Sequence, residues 1–255
     1  MSTEKYLDAV EGIVNRIRTT QIDNIRAASD IATHSIAGGG LVHLFGAGHA
    51  HLPVEETYPR IGSYAGFHPL LEHSLAYFTN VVGDMGTRQF LFLERVEGFG
   101  KVIMRNYHFQ PQDSMIIFSH SGVNQVIIDV ALETKAQGMP LIGVTSAAGQ
   151  ASATPRHSSG KRLCDLADIV IDNGVPLEDA MVSIDGLPFK VAAGSTIGFV
   201  TVINSIVAQV AENLMKSGVT PIVHPSHNAL GPQVATEQLE LAFAEYARRL
   251  AHLYS

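Results

Sequence analysis

Short apolar segments of the chain alternate with longer segments in which apolar residues recur every three or four positions. Residues 41–45, 115–118, 141–145 and 168–172 are mostly apolar runs of four or five residues, a pattern typical of buried strands. Buried strands that alternate with helices favour a parallel sheet with helices on both of its faces. The pattern therefore predicts an α/β fold, a three-layer sandwich around a mainly parallel sheet.

Helical spacing is clearest in five segments of the chain. They are residues 3–37 (one long helix or two shorter ones), 91–107, 124–137, 195–215 and 234–253. The segment MVSIDGLPFKV, residues 181–191, predicts a β-hairpin, because Asp185-Gly186 is a favoured two-residue turn. The region between residue 46 and about residue 88 has no regular pattern and is rich in glycine and histidine.

No internal repeat, low-complexity tail or convincing interdomain linker divides the chain. We therefore interpret residues 1–255 as a single domain. It consists of a helical extension over residues 1–40, a sheet-containing core over 41–217, and a loop with a final helix over 218–255.

Composition excludes several classes of function. With 46% hydrophobic residues and 16% charged residues, the chain of 255 residues has the composition of a globular domain. Its formal net charge of -7 argues against nucleic-acid binding, which needs a phosphate-neutralising surface. The single cysteine, Cys164, fits a reducing compartment. The acidic N-terminal segment is unlike a signal peptide, and no apolar run reaches about 18 residues. The sequence thus predicts a cytoplasmic protein without a membrane partner.

Small and hydroxyl-bearing residues follow three of the predicted strands. Gly46-Ala47-Gly48-His49 follows the first, Ser119-His120-Ser121-Gly122 the second, and Thr145-Ser146 ends the third. In parallel sheets, ligands bind where loops leave the carboxyl ends of the strands. Small residues let the backbone approach an anion, and the following helix offers free N–H groups. These loops predict a phosphate site, although Ser121 or Asn124 is equally suited to capping the next helix.

The same motifs carry a resemblance to a known family. The strand followed by Gly-Ala-Gly, the strand followed by SHSG, and the segment GMPLIGVTS resemble the sugar isomerase (SIS) domain. The likeness runs from about residue 41 to residue 214. It is strongest to stand-alone bacterial phosphosugar isomerases and phosphosugar-binding proteins, with phosphoheptose isomerases as more distant relatives. The resemblance implies the Rossmann-like SIS fold with an N-terminal helical extension.

The resemblance also implies a set of ligand-binding residues. The hydroxyls of Ser119 and Ser121, with the backbone at Gly122, would bind the phosphate of a phosphorylated sugar. Asn124 stands where the family commonly has Ser or Thr, and its amide also donates hydrogen bonds. The wider phosphate- and sugar-binding set is Gly46, Gly48, His49, His51, His120, Thr145 and Ser146. Because His49 and His51 replace a serine of the family, an anion other than phosphate, or imidazole contacts to sugar hydroxyls, stays open.

Glu55 and Glu56 follow the first glycine loop and are candidates for a catalytic base. Aldose–ketose isomerisation moves a proton between two carbons of an opened sugar, and a carboxylate in a dry pocket serves this purpose. In phosphoheptose isomerases, the second member of such a pair is the base, which by resemblance would be Glu56. The pair lies about one helical turn closer to the glycines here, so Glu55 remains an alternative. A solvated helix surface also explains two acids.

Two histidines in the segment VHPSHN are candidates for opening the sugar ring. Histidine exchanges protons near neutral pH, and some family members use a histidine in this part of the chain, at times from a neighbouring subunit. His227 is the preferred candidate and His224 the second, whereas a structural role in the loop explains them equally well. No HExxH or CxxC spacing is present among the 12 histidines and single cysteine, so no metal is predicted.

Together these observations predict a phosphosugar aldose–ketose isomerase that works through an enediol or enediolate. Two alternatives are a non-catalytic phosphosugar sensor and a lyase or etherase acting on an amino-sugar phosphate, since SIS relatives serve in both ways. The resemblance implies no organic cofactor. The apolar helices at both ends of the chain favour a homodimer or homotetramer with shared active sites.

Overall fold

A five-stranded parallel sheet forms the centre of the protein. The computed structural model describes residues 1–57, 59–76 and 86–254. The strands of the sheet are β1 (Val42–Gly46), β2 (Phe67–Pro69), β3 (Ser114–Phe118), β4 (Leu141–Thr145) and β5 (Ile169–Asp172). They lie in the order β2-β1-β3-β4-β5, and every neighbouring pair is parallel. The predicted α/β class with a mainly parallel sheet is confirmed.

Helices precede, separate and follow the strands. They are α1 (Ser2–Thr20), α2 (Ile22–Ala37), α3 (Leu52–Glu55), α4 (His73–Ala76), α5 (Thr87–Leu93), α6 (Phe99–Met104), α7 (Gln125–Ala136), α8 (Ala147–Ser152), α9 (Leu163–Leu166), α10 (Ser195–Lys216), α11 (His227–Leu230) and α12 (Pro232–Leu250). A 3₁₀ turn, Gly48–His51, precedes α3, and a two-stranded hairpin is formed by β6 (Ala180–Val182) and β7 (Val191–Ala193).

The alternation of side chains along each strand divides the interior into two cores. Val42, Leu44, Ile116 and Phe118 point to one face of the sheet, where α1, α2 and α10 cover them. Phe45, Met115 and Ile117 point to the other face, which α6, α7 and α9 cover. Because both faces are buried, the strands are continuously apolar, which is why they stood out in the sequence.

Most predicted elements lie within a few residues of the observed ones, and the exceptions have local causes. The first helical segment is two helices that meet at Gln21, whose φ and ψ of -117° and 2° are not helical. The segment 91–107 contains the end of α5 and all of α6, separated around Gly98 with φ of 92°. Strand β2 was not predicted, because three residues that include His68 and Pro69 do not make an apolar run.

The predicted hairpin is present, but its two-residue turn does not directly join the strands. Strands β6 and β7 pair through Ala180 with Ala193 and Val182 with Val191, so residues 183–190 form the connecting loop. The Asp185-Gly186 pair does make a turn inside this loop, in which the Leu187 N–H donates to the Ile184 carbonyl at 3.0 Å. Pro188 lacks an N–H and cannot continue the ladder beside that turn, so pairing resumes farther out.

Helix α10 is the longest helix of the described residues and the only one of them with the length and composition of a membrane span. Of its most apolar window, 44% is buried inside the protein. Phe199, Ile203 and Ile206 pack in the core formed with α2 and the sheet. A core helix passes the same test as a membrane span, so this helix is weak evidence for a membrane segment.

Two histidines on neighbouring strands, His43 on β1 and His68 on β2, form a buried hydrogen-bonded chain with Asp113. His43 Nδ1 lies 3.0 Å from His68 Nδ1, and His43 Nε2 lies 3.2 Å from Asp113 Oδ2. The Tyr254 hydroxyl lies 3.3 Å from His68 Nε2. Burial lowers the pKa of His43 and lowers the pKa of His68 to about 3. Burial alone would raise the pKa of Asp113, but hydrogen bonds from His43 and two backbone N–H groups keep it below its ordinary value.

We expect the buried, hydrogen-bonded histidines His43 and His68 to make the stability of the protein depend on pH in the acidic range. Below the ordinary histidine pKa of 6.5, the unfolded chain binds protons that buried His43 and His68 resist, so the free energy of unfolding falls as the pH falls toward 3. At pH 5 the loss from His68 alone is about 2 kcal/mol. Urea unfolding followed by circular dichroism between pH 4.5 and 7.5 measures it, since the chain has no tryptophan.

The matched variants for this measurement are His68→Gln and His34→Gln, because His34 is exposed on a helix. The His68 variant should flatten the pH dependence, whereas the His34 variant should leave it close to that of the wild type. An equal slope for all three proteins would contradict the assignment.

Candidate functional site

The two glycine- and serine-containing loops meet because β1 and β3 are neighbours in the sheet. Gly46, the last residue of β1, is in register with Phe118, the last residue of β3. The chain leaves β1 toward α3, which contacts α10 on one face of the sheet, and leaves β3 toward α7 on the other face. Loops that diverge to opposite faces open a crevice between the strand ends, where parallel sheets bind ligands.

A cavity of about 210 Å³ occupies this crevice. The first loop contributes Ala47 and His49 to its wall, and the second contributes Ser119, His120, Ser121 and Asn124. The third wall comes from Asp179 and from the start of α10, where Ser195 and Phe199 lie. The structure therefore brings five of the predicted binding residues to one cavity. Six further lining residues were not selected by the sequence analysis: Ala47, Ala50, Ile127, Asp179, Ser195 and Phe199.

Asn124 occupies the N-cap position of α7, yet its side chain does not cap the helix. Its Nδ2 donates instead to Glu94 Oε2 at 2.6 Å, and its Oδ1 accepts from Arg156 Nη1 at 3.4 Å. Ser121 lies on the cavity wall. The capping alternative that the sequence left open does not describe Asn124, whose second amide hydrogen is available to donate to a ligand.

The third strand end behaves differently. Ser146 is the N-cap of α8, and its Oγ accepts from the Gly149 N–H at 3.2 Å and donates to the Val175 carbonyl at 2.7 Å. Thr145 is fully buried, and its hydroxyl donates to the His120 carbonyl at 3.1 Å. Both hydroxyls hold neighbouring loops in position, and neither residue lines the cavity.

The second loop is tightly folded against the residues beneath it. Gly122 has φ of 63°, and its N–H donates to Ser119 Oγ at 3.1 Å. A Cβ atom on Gly122 would lie 1.3 Å from Gln150 Nε2, which in turn donates to Thr145 Oγ1 at 2.9 Å. Glycine is therefore required twice at this position, by backbone conformation and by space.

His120 lines the cavity, but its ring nitrogens are engaged by the loop that follows β5. Nδ1 lies 3.1 Å from Asn173 Nδ2, and Nε2 lies 3.1 Å from the Pro176 carbonyl and 3.2 Å from the Leu177 carbonyl. An amide nitrogen only donates and carbonyls only accept, so the proton is assigned to Nε2. The imidazole therefore joins two loops beside the cavity.

The first loop turns sharply to reach the cavity. A Cβ atom on Gly46 would lie 2.0 Å from the Ala50 carbonyl oxygen, and Gly48, with φ of 63°, packs on the Phe90 ring. His51 Nδ1 hydrogen-bonds the Gly48 carbonyl, which fixes the 3₁₀ turn. His49 is exposed and lines the cavity, whereas His51 faces α3 rather than the cavity.

Asp179 holds the start of α10 against the cavity. Its Oδ1 accepts from the N–H groups of Gly194 and Ser195 at 3.1 and 2.7 Å, and its Oδ2 accepts from Ser195 Oγ at 2.9 Å. Asp179 adopts φ of 62°, which non-glycine residues rarely adopt. No local motif in the sequence identifies Asp179, since its role depends on a helix that begins 16 residues later.

A buried carboxylate stands behind the second loop. Glu94 is only 7% exposed, and burial raises the pKa of its side chain, against the opposing effects of Arg95, Asn124 and Arg156. Its hydrogen bond from Asn124 fixes which way that amide points at the cavity wall. Sequence analysis missed Glu94, because its link to Asn124 spans 30 residues.

The predicted catalytic acids lie outside the cavity. Glu55 is half exposed and its Oε1 lies 3.2 Å from His51 Nε2. The Oε1 atom of Glu56 lies 3.1 Å from Arg60 Nε, one turn later in the chain, and 3.4 Å from Nδ2 of Asn204, which is on α10. Asn204 is five residues beyond cavity-lining Phe199, about 7.5 Å farther along the helix axis.

The predicted ring-opening histidines also lie outside the cavity. The backbone of His224 pairs with residues 62 and 63, and its Nδ1 donates to the Pro59 carbonyl at 3.1 Å. This places His224 beside the segment that carries Glu56 and Arg60. His227 is exposed at the first position of α11. The chain thus has its candidate phosphate site and its candidate acid–base residues in two separate places.

Within the described ranges, no group of three or more His, Cys, Asp or Glu side chains is arranged to hold a metal ion. The site is built from hydroxyls, amides, backbone N–H groups and one anchored carboxylate. Such a set can bind an oxyanion and the hydroxyls of an attached sugar.

Comparison with known proteins identifies the family. The model of the SIS domain matches residues 5–146. The chain belongs to the SIS domain family. It is similar to a UPF0309 protein of Listeria monocytogenes serotype 4b, with 35% identity over 88% of each chain. A UPF0309 protein of Caldanaerobacter subterraneus is 30% identical over 97% of this chain and 98% of its own.

Solved structures support the fold of this SIS domain. A phosphoheptose isomerase from Francisella tularensis matches 82% of this chain and 96% of its own, with a TM-score of 0.52 and 13% identity. A phosphoheptose isomerase from Neisseria gonorrhoeae matches the same shares with a TM-score of 0.52 and 11% identity. At identities this low, the structural match supports a common fold and nothing more specific.

We expect Gly122→Ala to destabilise the protein more than Gly138→Ala. Both residues have positive φ, at 63° and 75°, but a Cβ on Gly138 meets nothing within 4 Å. The Gly138 variant should lose about 1 kcal/mol, which is the conformational cost alone. The Gly122 variant should lose about 3 kcal/mol, because Gln150 must move as well. Urea unfolding followed by circular dichroism measures both, and equal losses would contradict the packing argument.

Proposed function

We propose that this SIS protein isomerises a phosphorylated sugar between its aldose and ketose forms. The observation that carries the proposal is the second loop, whose Ser121 and Asn124 line a cavity at the strand ends instead of capping α7. The phosphate would be held by Ser119, Ser121, the Asn124 amide and backbone N–H groups near Gly122. The sugar would extend toward His49, Ser195 and Asp179.

Phosphate binding at this loop has a physical basis. The donors are neutral groups on a short turn before a helix of 12 residues, whose N-terminal partial positive charge favours an anion. Gly122 and Gln150 fix the loop shape before a ligand arrives, so the loop loses little conformational entropy on binding. The cavity of about 210 Å³ is open at the surface and suits the phosphate and part of a sugar.

The proton transfer requires a base at the sugar carbons next to the carbonyl. Glu56 is the proposed base, with Glu55 as the alternative. It would take the proton from C2 to give an enediolate, and the same proton would return at C1. His227, or His224, would open the ring by moving a proton between the ring oxygen and the anomeric hydroxyl. The carbonyl moves one carbon along the chain, with no net oxidation and no organic cofactor.

The separation of the two groups of residues supports a shared active site. Glu56 and His224 lie together beside residues 59–63, away from the cavity of their own protomer. Large exposed apolar side chains on α1, α10 and α12 supply surface for association: Leu7, Met215, Leu241 and Phe243. We propose a cytoplasmic homodimer or homotetramer in which one subunit brings Glu56 and His227 to the cavity of another.

A non-catalytic phosphosugar sensor is the second candidate. It is favoured by Asp179, the one carboxylate that the described residues bring to the cavity wall, which already accepts three hydrogen bonds from the start of α10. A protein that only binds the ligand needs no mobile proton in the cavity. A sensor would return the sugar phosphate unchanged, and a lyase would release a second product, so product analysis by NMR separates the three activities.

We expect Ser121→Ala to weaken the binding of phosphorylated sugars about 10- to 100-fold, because a hydrogen bond to a charged phosphate is lost. A thermal-shift screen of hexose, pentose and heptose phosphates with their parent sugars selects the ligand, and calorimetry then gives its Kd. Ser152→Ala, on an exposed helix residue, is the matched control and should bind like the wild type. A wild-type response to neutral sugars alone would contradict the phosphate site.

We expect Glu56→Gln to retain binding and lose isomerisation, with kcat reduced at least 100-fold by loss of the base. Co-expression of Ser121→Ala and Glu56→Gln subunits tests the shared site. In a dimer, random mixing restores about a quarter of the wild-type activity, since half of the dimers are mixed and each has one intact site. No recovery, with each variant inactive alone, would contradict sharing between subunits.

A further inference from the structure

Arg156 contacts a residue of the cavity wall, Asn124, from outside the cavity. Its Nη1 donates to Asn124 Oδ1 at 3.4 Å, and Asn124 is a wall residue of the cavity. The side chain is exposed, and no Asp or Glu oxygen of the described ranges makes an ion pair with it. Its hydrogen-bond partner is a neutral amide at long distance, and the Glu94 carboxylate attracts it from beyond ion-pair distance. A guanidinium without a direct ion pair is available to pair with an anion.

The backbone on both sides of Arg156 is anchored. Its carbonyl accepts from Gln125 Nε2 at 3.3 Å, at the first residue of α7. The next residue, His157, is buried, and its Nε2 donates to Asp129 Oδ1 at 3.2 Å. Farther along, the Leu163 N–H donates to the Gly122 carbonyl at 2.8 Å. The segment is therefore fixed alongside the second loop, whereas the side chain of Arg156 is left exposed.

The anchor itself is fixed by further contacts. Asp129 Oδ2 accepts from the Gly98 and Gly100 N–H groups at 2.7 and 3.2 Å, so the carboxylate that holds His157 cannot easily turn away. The Ser158 N–H donates to Glu97 Oε2 at 2.9 Å. Four buried or backbone contacts around one exposed arginine indicate a segment whose position is defined and whose side chain is available.

The charges around the cavity favour a role for Arg156 in binding an anion. A phosphate monoester carries about -1.5 to -2 charges near neutral pH. The proposed donors Ser119, Ser121 and Asn124 are all neutral, the third wall carries the carboxylate of Asp179, and the carboxyl group of Glu94 stands behind Asn124. An anion in this cavity needs a nearby cation to offset these acidic groups. The planar fork of an arginine pairs with two phosphoryl oxygens at once, which neutral hydroxyls cannot do.

We propose that Arg156 is a phosphate-binding residue that selects phosphorylated sugars over neutral ones. Its guanidinium turns from Asn124 Oδ1 to two oxygens of the phosphate bound at residues 119–124. This inference rests on the proposed phosphosugar binding and adds a residue that determines its specificity. The turn leaves Asn124 held by Glu94, so the amide keeps its orientation while the arginine moves.

The test measures Kd by calorimetry for inorganic phosphate and for the best sugar phosphate of the thermal-shift screen. Arg156→Gln should raise both values about 10- to 100-fold, and Arg156→Lys should give a smaller rise, since lysine keeps the charge without the fork. The control is Arg26→Gln. Arg26 is also exposed, lies on α2 with its Nη1 3.6 Å from Asp23 Oδ1, and does not line the cavity. This variant should change Kd less than twofold.

Salt dependence gives a second readout that a structural role would not produce. The slope of log Kd against log salt should be smaller for Arg156→Gln than for the wild type, and unchanged for Arg26→Gln. If Arg156→Gln binds like the wild type while Ser121→Ala binds more weakly, the role of Arg156 is overturned and the phosphate site stands. If the wild type binds neither probe, the proposed function fails and this inference fails with it.

Discussion

The candidate site depends on one geometric constraint, the parallel pairing of β1 with β3. In-register pairing ends both strands at the same level, through Gly46 and Phe118, so their loops must share one small region. Each strand then continues into helices on opposite faces of the sheet, which leaves the crevice open. The residues that line it are otherwise far apart in the chain. A shift of one residue in this register would also turn every core side chain to the wrong face, so the two cores protect the site geometry.

Packing then fixes the shape of the second loop in more detail. Gly122 lies on Gln150, Gln150 donates to Thr145, and Thr145 donates to the carbonyl of His120. The hydroxyl that appeared to be a ligand donor is therefore a support for the loop that carries the donors. Supported loops of this kind hold their donors in position before binding, which lowers the entropic cost of capturing an anion.

The parts of the candidate site that are marked by a local motif could be predicted from the sequence. The parts that depend on contacts between residues far apart in the chain could not. Apolar runs that end in GAGH and SHSG identified the two loops, because buried parallel strands are continuous in hydrophobicity. The role of Asn124 could not be read in this way, since it depends on Glu94, 30 residues earlier in the chain. Asp179 reaches the cavity, and Arg156 reaches Asn124, from loops whose paths no residue pattern defines. Strand β2 escaped notice because His68 and Pro69 interrupt its apolar character.

The strand order has a further consequence for how the protein acquires its cavity. The two loops that form opposite walls lie about 70 positions apart in the sequence, and the start of α10 is as far again from the second loop. Closing such long segments costs entropy before any contact is gained, so parallel pairings of this kind form slowly. The first two helices and the α6–α7 pair involve nearby residues and can assemble earlier. A partly folded chain would then have these helices but no complete cavity, so ligand binding reports the last stage of folding.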